Sequence, residues 1–288
     1  MTVCVRAPAS SANLGPSFDC AAVALDLWNE VRVDEASGAP QVEIEGEGAD
    51  ELPRDLRNLT LRAFDLLAPA ERYRFVFVNR IPIERGLGSS AAAIALGLLA
   101  GATLSGSPLP VERLLELGEE LEGHGDNLAA ALYGGVCLSW RRDGRIRGAR
   151  IAAGLPLDVI LAVPAERTST NGARSALPGT VDHADAAANV AWATLLGAGI
   201  AAGDTSLLGA ALDDRLHEPY RASSAPLLDR LRRARPDGAA GVTLSGSGPS
   251  VCVWADPGRA AGVAADLRRS LPADVTVLPL QVAREGAT

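Results

Sequence analysis

A chain of 288 residues, 48% hydrophobic and 22% charged, can bury a large core as one domain or two, and its composition excludes a disordered or fibrous protein. The net charge of −8 argues against a nucleic-acid backbone or an acidic membrane surface as main partner, although a local basic site can still take a small anion. All 27 basic residues are arginine, so a Walker A lysine, a protein-kinase strand lysine, a Schiff base and a lysine general base are excluded.

Residues 2–7 read as a first strand. Residues 7–19, dense in Pro, Ser, Asn and Gly and ending in Asp19, read as a loop. The alternating stretches 25–34 and 41–45 predict two paired strands joined by a turn at S-G-A-P, residues 37–40. A helix over 58–67 and a short strand over 75–78 then lead to I-P-I-E-R-G-L-G-S-S-A-A-A. There Gly86 and Gly88 bracket Leu87, and Ser89 and Ser90 run straight into an alanine-rich helix. A glycine turn that opens onto a helix N-terminus offers unpaired N–H groups and the positive end of the macrodipole to an anion, and the two serines add hydroxyls for a phosphate oxygen or Mg²⁺.

Residues 111–121 have a helical apolar face and end in Glu119, Glu120 and Glu122. Three carboxylates at a helix C-terminus oppose the dipole, so they are either a solvated face or a group held for a metal. G-H-G-D-N at 123–127 precedes a short helix and a strand at 136–140. The charged, glycine-rich stretch 141–150 reads as a surface connection between two halves, 1–150 and 151–288. The second half begins with a strand at 158–163 and a loop at 165–179. Helices are predicted at 181–202, 207–216 and 226–234, strands at 241–245 and 251–254, a helix at 259–270 and a strand at 275–282, an α+β set without internal repeat. Cys4, Cys20, Cys137 and Cys252 are scattered, which speaks against zinc or disulfides, reads each as a small apolar residue and favours a reducing, cytoplasmic setting. No leader pattern opens the chain, and the longest apolar run, 91–100, is too short for a bilayer span of about 20 residues.

Three loops stand out: P-A-S-S-A-N-L-G-P-S-F-D near the start, G-L-G-S-S-A-A in the middle and S-G-S-G-P-S at 245–250. Together they resemble the three signature motifs of the GHMP kinase superfamily, and A-N-L-G-x-x-F-D with H-x-D-N at 124–127 resembles its homoserine kinase family. The resemblance implies an α+β, two-domain GHMP kinase fold, with a ribosomal-protein-S5-like first domain and a ferredoxin-like second. It also implies transfer of the ATP γ-phosphoryl to the hydroxyl of L-homoserine, with another small alcohol such as L-threonine as the alternative. ATP would sit at Arg85, Gly86, Leu87, Gly88, Ser89, Ser90 and Ala91, with Mg²⁺ at Ser90 and either Glu122 or Glu119, of which Glu122 is preferred. Asn13, Asp126 and Asn127 would serve catalysis, and Asp126 either accepts the hydroxyl proton or only helps to position the substrate. Asp19, His124, Arg174 and Arg221 would bind the amino acid: a zwitterion needs a bidentate arginine for its carboxylate and an anion, Asp19, for its ammonium. The third motif is expected to pack beside the phosphate loop and Asn189 to be structural; members of that family often dimerise, so a homodimer is one option, and the sequence leaves the oligomeric state open.

Overall fold

The computed structural model describes every residue except Ser37, Ala39 and Ser169, together with all side chains but those of Thr170 and Asn171. Its order is β1 (Thr2–Ala12), β2 (Ala21–Glu35), β3 (Gln41–Gly46), α1 (Leu59–Asp65), β4 (Tyr73–Asn79), α2 (Ser89–Leu104), α3 (Val111–Glu122), α4 (Asp126–Tyr133), β5 (Val136–Arg142) and β6 (Arg145–Ala152). Then follow β7 (Asp158–Val163), α5 (Thr170–Ser175), α6 (His183–Ala202), α7 (Thr205–Ala210), α8 (Glu218–Arg221), α9 (Pro226–Arg233), β8 (Ala239–Leu244), β9 (Val251–Ala255), α10 (Ala260–Ser270) and β10 (Thr276–Leu280).

The first sheet is organised on β2, which pairs with β1 along its whole length, from Thr2↔Asp34 to Ala12↔Ala22. On its other edge β2 pairs with β4 at one end and β5 at the other. The register slips once, between Pro8 and Ala9, where proline has no N–H for the ladder. Beyond that bulge β1 continues to Ala12, so the loop expected from residue 7 begins only at Asn13. Polar Ser10 and Ser11 tolerate full burial there because side-chain hydrogen bonds satisfy them.

The expected pairing of β2 with β3 does not form. β3 runs parallel to β4, from Gln41↔Arg74 to Gly46↔Asn79, and β4 lies between β3 and β2. β4 buries Tyr73, Phe75, Phe77 and Asn79 at every second position and offers two edges, so it takes the inner place; a parallel neighbour needs a crossover, which α1 supplies. Of the S-G-A-P turn, Ser37 and Ala39 lie outside the described residues. The expected connection at 141–150 is likewise no linker. It is the β5–β6 hairpin, turned at Asp143 and Gly144, whose φ of 51° and 75° are those of a D-G hairpin turn. The chain crosses to the second sheet through 153–157.

α2 lies on this sheet and is apolar almost all round, as a core helix is. Its small residues permit a close crossing: a Cβ on Gly97 would stand 2.2 Å from the Thr60 carbonyl oxygen of α1.

The second sheet has the order β10-β7-β9-β8, antiparallel throughout, which is the ferredoxin-like arrangement the resemblance implied. One face takes α9 and α10 through Leu227, Leu228, Leu231, Val263 and Leu267. The other face, with Val159, Leu161, Cys252 and Trp254, joins one continuous core with the first half. α7 stops at Ala210 rather than running to 216, because Asp214 turns the chain and caps α8: its carboxylate accepts from the N–H groups of Leu216, His217 and Glu218 at 3.1, 2.8 and 2.8 Å. A short α5 replaces part of the loop expected at 165–179, of which Ser169 lies outside the described residues. Of the cysteines, none paired, Cys137 and Cys252 are buried as small apolar residues should be, whereas Cys4 is exposed and Cys20 half-buried. Among the described residues no helix is long and apolar enough to cross a membrane.

Candidate active site

The glycine loop is wedged between the two halves. Gly86 and Gly88 have φ of 73° and 66°, and Gly88 is the N-cap of α2. On one side the Ser10 N–H donates to the Leu87 carbonyl at 3.1 Å. On the other, the Ser245 hydroxyl donates to the Gly86 carbonyl at 2.8 Å, and a Cβ on Gly86 would stand only 2.1 Å from the Ser245 carbonyl oxygen. The third motif therefore packs on the loop as expected. Among the described residues no side chain caps α2, so its first N–H groups remain available to a ligand. Arg85 is differently employed: its guanidinium donates to the carbonyls of Ile83, Pro164 and Ala165 at 3.0, 2.9 and 2.8 Å, tying the loop to the strand end of the second half.

The acidic group gathers at the mouth of α2. The Ser90 hydroxyl donates to Glu122 Oε1 at 2.6 Å. His124 Nδ1 lies 3.8 Å from that oxygen and 3.9 Å from Asp126 Oδ1, buried and, among the described residues, without a hydrogen bond. Burial pushes the Glu122 carboxyl up, with the Ser90 hydroxyl and His124 opposing, and it pushes Asp126 up at the start of α4, against His124 and the Asn127 N–H. Glu119 instead pairs with Arg141.

At the other side of this group Asn13 and Asp19 sit in left-handed backbone, φ 72° and 55°, that the loop's Asn and Asp tolerate. Asn13 Oδ1 accepts from the Asp19 N–H at 3.0 Å and its Nδ2 donates to the Gly246 carbonyl at 3.0 Å. Asp19 meets Arg174 in a bidentate pair, 2.8 Å at both oxygens. Phe18 lies between Arg174 and Arg221, their guanidinium carbons 5.6 and 5.4 Å from its ring centre.

Arg221 is buried. It donates to the carbonyls of Ala173 (3.3 Å) and Gly246 (3.2 Å) and contacts His217 Nδ1 at 3.1 Å. Arginine has no acceptor, so His217 Nδ1 accepts and its Nε2 carries the proton donated to the Gly15 carbonyl at 2.9 Å. That neutral tautomer agrees with a pKa that burial pushes down to about 4. Asn189, as expected, is structural: it donates to Pro16 and Asp214 behind the loop.

One cavity of about 410 Å³ joins these parts. Residues 85–90, Glu122, His124, Asp126, Asn127, Asn13, Asp19, Arg174 and Arg221 all line it; Ala91 does not, being buried in α2 behind the loop.

The GHMP kinases N terminal domain matches residues 58–135 and the GHMP kinases C terminal domain residues 196–273. The homoserine kinase of Streptomyces avermitilis is 44% identical over 269 residues, 90% of this chain and 88% of its own. The chain belongs to the homoserine kinase family of the GHMP kinases. Another member of this family, from Carboxydothermus hydrogenoformans, is 39% identical over 266 residues, 90% of this chain and 87% of its own. The crystal structure of homoserine kinase from Cytophaga hutchinsonii superimposes with a TM-score of 0.88 at 27% identity, covering 100% of this chain and 96% of that one. A mevalonate kinase shares the fold alone, at 15% identity and a TM-score of 0.73, covering 98% of this chain and all of that one.

This homoserine kinase family member also has a cavity end that no motif announced. Leu52, Pro53, Leu59, Phe77 and Ile83 form an apolar end beyond the glycine loop. In sequence these are ordinary core residues, and only the β3–β4–α1 crossover brings them together. Asn58 lies among them, but its side chain is spent on the Thr60 N–H and the Pro53 carbonyl, at 3.0 Å each.

Proposed function

We propose that the protein transfers the γ-phosphoryl of ATP to the side-chain hydroxyl of L-homoserine, giving O-phospho-L-homoserine, in the cytoplasm. The observation that carries this reading is the single cavity in which a helix N-terminus with a glycine turn faces an Asp–Arg pair suited to a zwitterion. The nucleotide base enters the apolar end and its phosphates lie on residues 86–90, whose backbone supplies donors without moving. Ser90 and Glu122, a hydroxyl and a carboxylate in contact beside the phosphate loop, are oxygen donors of the kind a divalent cation takes and would hold Mg²⁺ there. The ion, when bound, neutralises charge on the transferring group.

The chain's own side chains handle the acceptor. Asp19 takes the ammonium and Arg174 the carboxylate, each giving up part of its bond to the other. Phe18 shapes the floor and Arg221 holds the Gly246 and Ala173 carbonyls in place. The substrate hydroxyl then points to Asp126 and Asn127. Burial makes the Asp126 carboxylate more basic, which suits it to accept the hydroxyl proton. We divide the chain into a nucleotide-binding domain, 1–150, and a second domain, 151–288, a cut within two residues of the end of β6.

The test is ADP release with Mg²⁺ATP and, in turn, L-homoserine, L-threonine, mevalonate and galactose. Turnover should be strongest with homoserine. Turnover with one of the others alone would overturn the acceptor assignment and leave the nucleotide end standing.

A further inference from the structure

Ser10 has no place in the reaction as described, yet it touches two of its parts. It is fully buried in β1, and its backbone N–H holds the Leu87 carbonyl of the phosphate loop. Its hydroxyl donates to Asn127 Oδ1 at 2.8 Å. A Cβ on Gly88 would lie 2.1 Å from Ser10 Oγ and 3.1 Å from Asn127 Oδ1, so hydroxyl, amide oxygen and the second glycine of the loop meet at one point.

A carboxamide has an acceptor end and a donor end, and its last torsion is broad and nearly two-fold. With Oδ1 held by Ser10, the NH₂ end is the one left for the cavity, where Asn127 lies beside Asp126. Among the described residues Nδ2 has no protein hydrogen-bond partner, and Asn127, half-buried, lines the cavity. An amide turned the other way would present an oxygen to an anionic phosphoryl group.

We infer that Ser10 is a positioning residue for phosphoryl transfer: its hydroxyl fixes the Asn127 amide with the NH₂ facing the transferring group, so the donor is in place before the nucleotide arrives. This rests on the proposed transfer to an alcohol. The same residue serves the loop through its main chain and the acceptor side through its side chain, and alanine removes only the second function.

The experiment is a double-mutant cycle in the full chain, with Ser10→Ala, Asn127→Ala and the pair, each first checked for an unchanged thermal transition. Ser10→Ala should lower kcat about five- to tenfold, the worth of one neutral hydrogen bond, with both KM values within about twofold. In the Asn127→Ala background the same change should cost less than about twofold. Asn127→Asp, which keeps an acceptor for Ser10 but loses the donor, should fold normally and lose about a hundredfold or more in kcat. Equal losses in both backgrounds, or a raised KM for ATP with kcat intact, would overturn the inference and leave Ser10 a support of the loop. A wild type active on an alcohol other than homoserine would refute the substrate reading, and the cycle would then be decided on that alcohol. A wild type inert with every acceptor would sink both.

Discussion

The phosphate loop and the acceptor end of the cleft are held by different means. The loop is backbone against backbone: left-handed glycines, a carbonyl held by Ser245, and a Cβ-sized space already filled by the main chain of the other half. The acceptor end is side chain against side chain, with Asp19 and Arg174, 38% and 42% exposed, closing on each other across the cavity. A nucleotide phosphate is the same in every reaction and suits a rigid cradle. On the proposed reading, an amino-acid acceptor has to replace a pairing that already satisfies both of its recognition groups, which would select for a molecule that carries both charges.

The largest break in that contrast should come from Gly86→Ala. The new methyl would stand 2.1 Å from the Ser245 carbonyl oxygen and 2.9 Å from that of Gly248, main-chain atoms that cannot rotate away, at a residue with φ of 73°. Displacing the loop by about 1 Å should lower kcat/KM for ATP by about a hundredfold or more and weaken nucleotide binding measured by calorimetry. Normal ATP binding by this variant would show that the loop is not the cradle.

Arg174→Ala tests the other end. The lost fork should raise the KM for homoserine by about a hundredfold, the worth of two charge-assisted hydrogen bonds, and leave the KM for ATP within about twofold. Because the pair with Asp19 is half exposed, folding stability should change by no more than about 1 kcal/mol. A parallel rise in both KM values would mean that Arg174 organises the whole cleft. Arg221→Ala, by contrast, removes a buried clamp on Gly246, Ala173 and His217 and should lower the melting temperature as well.

The same contrast separates what the sequence discloses from what it hides. The glycine loop is legible because everything that makes it, turn glycines, serines and an alanine-rich helix, is contiguous. The ferredoxin-like half is legible strand by strand, since β7 and β9 are short continuous apolar runs, as strands buried on both faces are. Strand partners are not. β3 lies beside β4 because of a crossover that no local pattern of 41–45 encodes. The β5–β6 hairpin did carry a signal, Asp143-Gly144, which charge and glycine content masked. The acceptor end needed the resemblance, as Arg174 and Arg221 look like surface arginines, and Arg221 is in fact buried. The apolar end carries no motif, because it depends on which ordinary residues the fold brings face to face, and the Ser10–Asn127 bond joins two motifs 117 positions apart that only the fold brings together.

The smallest effect concerns the buried groups beneath the acceptor end. Burial pushes the Glu218 carboxyl up from 4.5 to about 7, even though Arg232 and the Leu244 N–H favour its charged form. The folded state thus holds that proton more tightly, and the associated stability, complete below pH 4.5, is lost as pH rises toward 7. His217 acts in the opposite sense: with its pKa pushed down from 6.5 to about 4, the unfolded chain binds the extra proton, and stability is lost as pH falls from 6.5 toward 4. Between pH 4.5 and 6.5 the two slopes, each about 1 kcal/mol per pH unit, oppose one another. Glu218→Gln should remove one of them, so that stability by urea denaturation climbs with pH through this window more steeply than in the wild type by about that amount. Equal slopes in the two proteins would show that the Glu218 carboxyl titrates in its ordinary range, and that Arg232 and the Leu244 N–H outweigh the cost of burial.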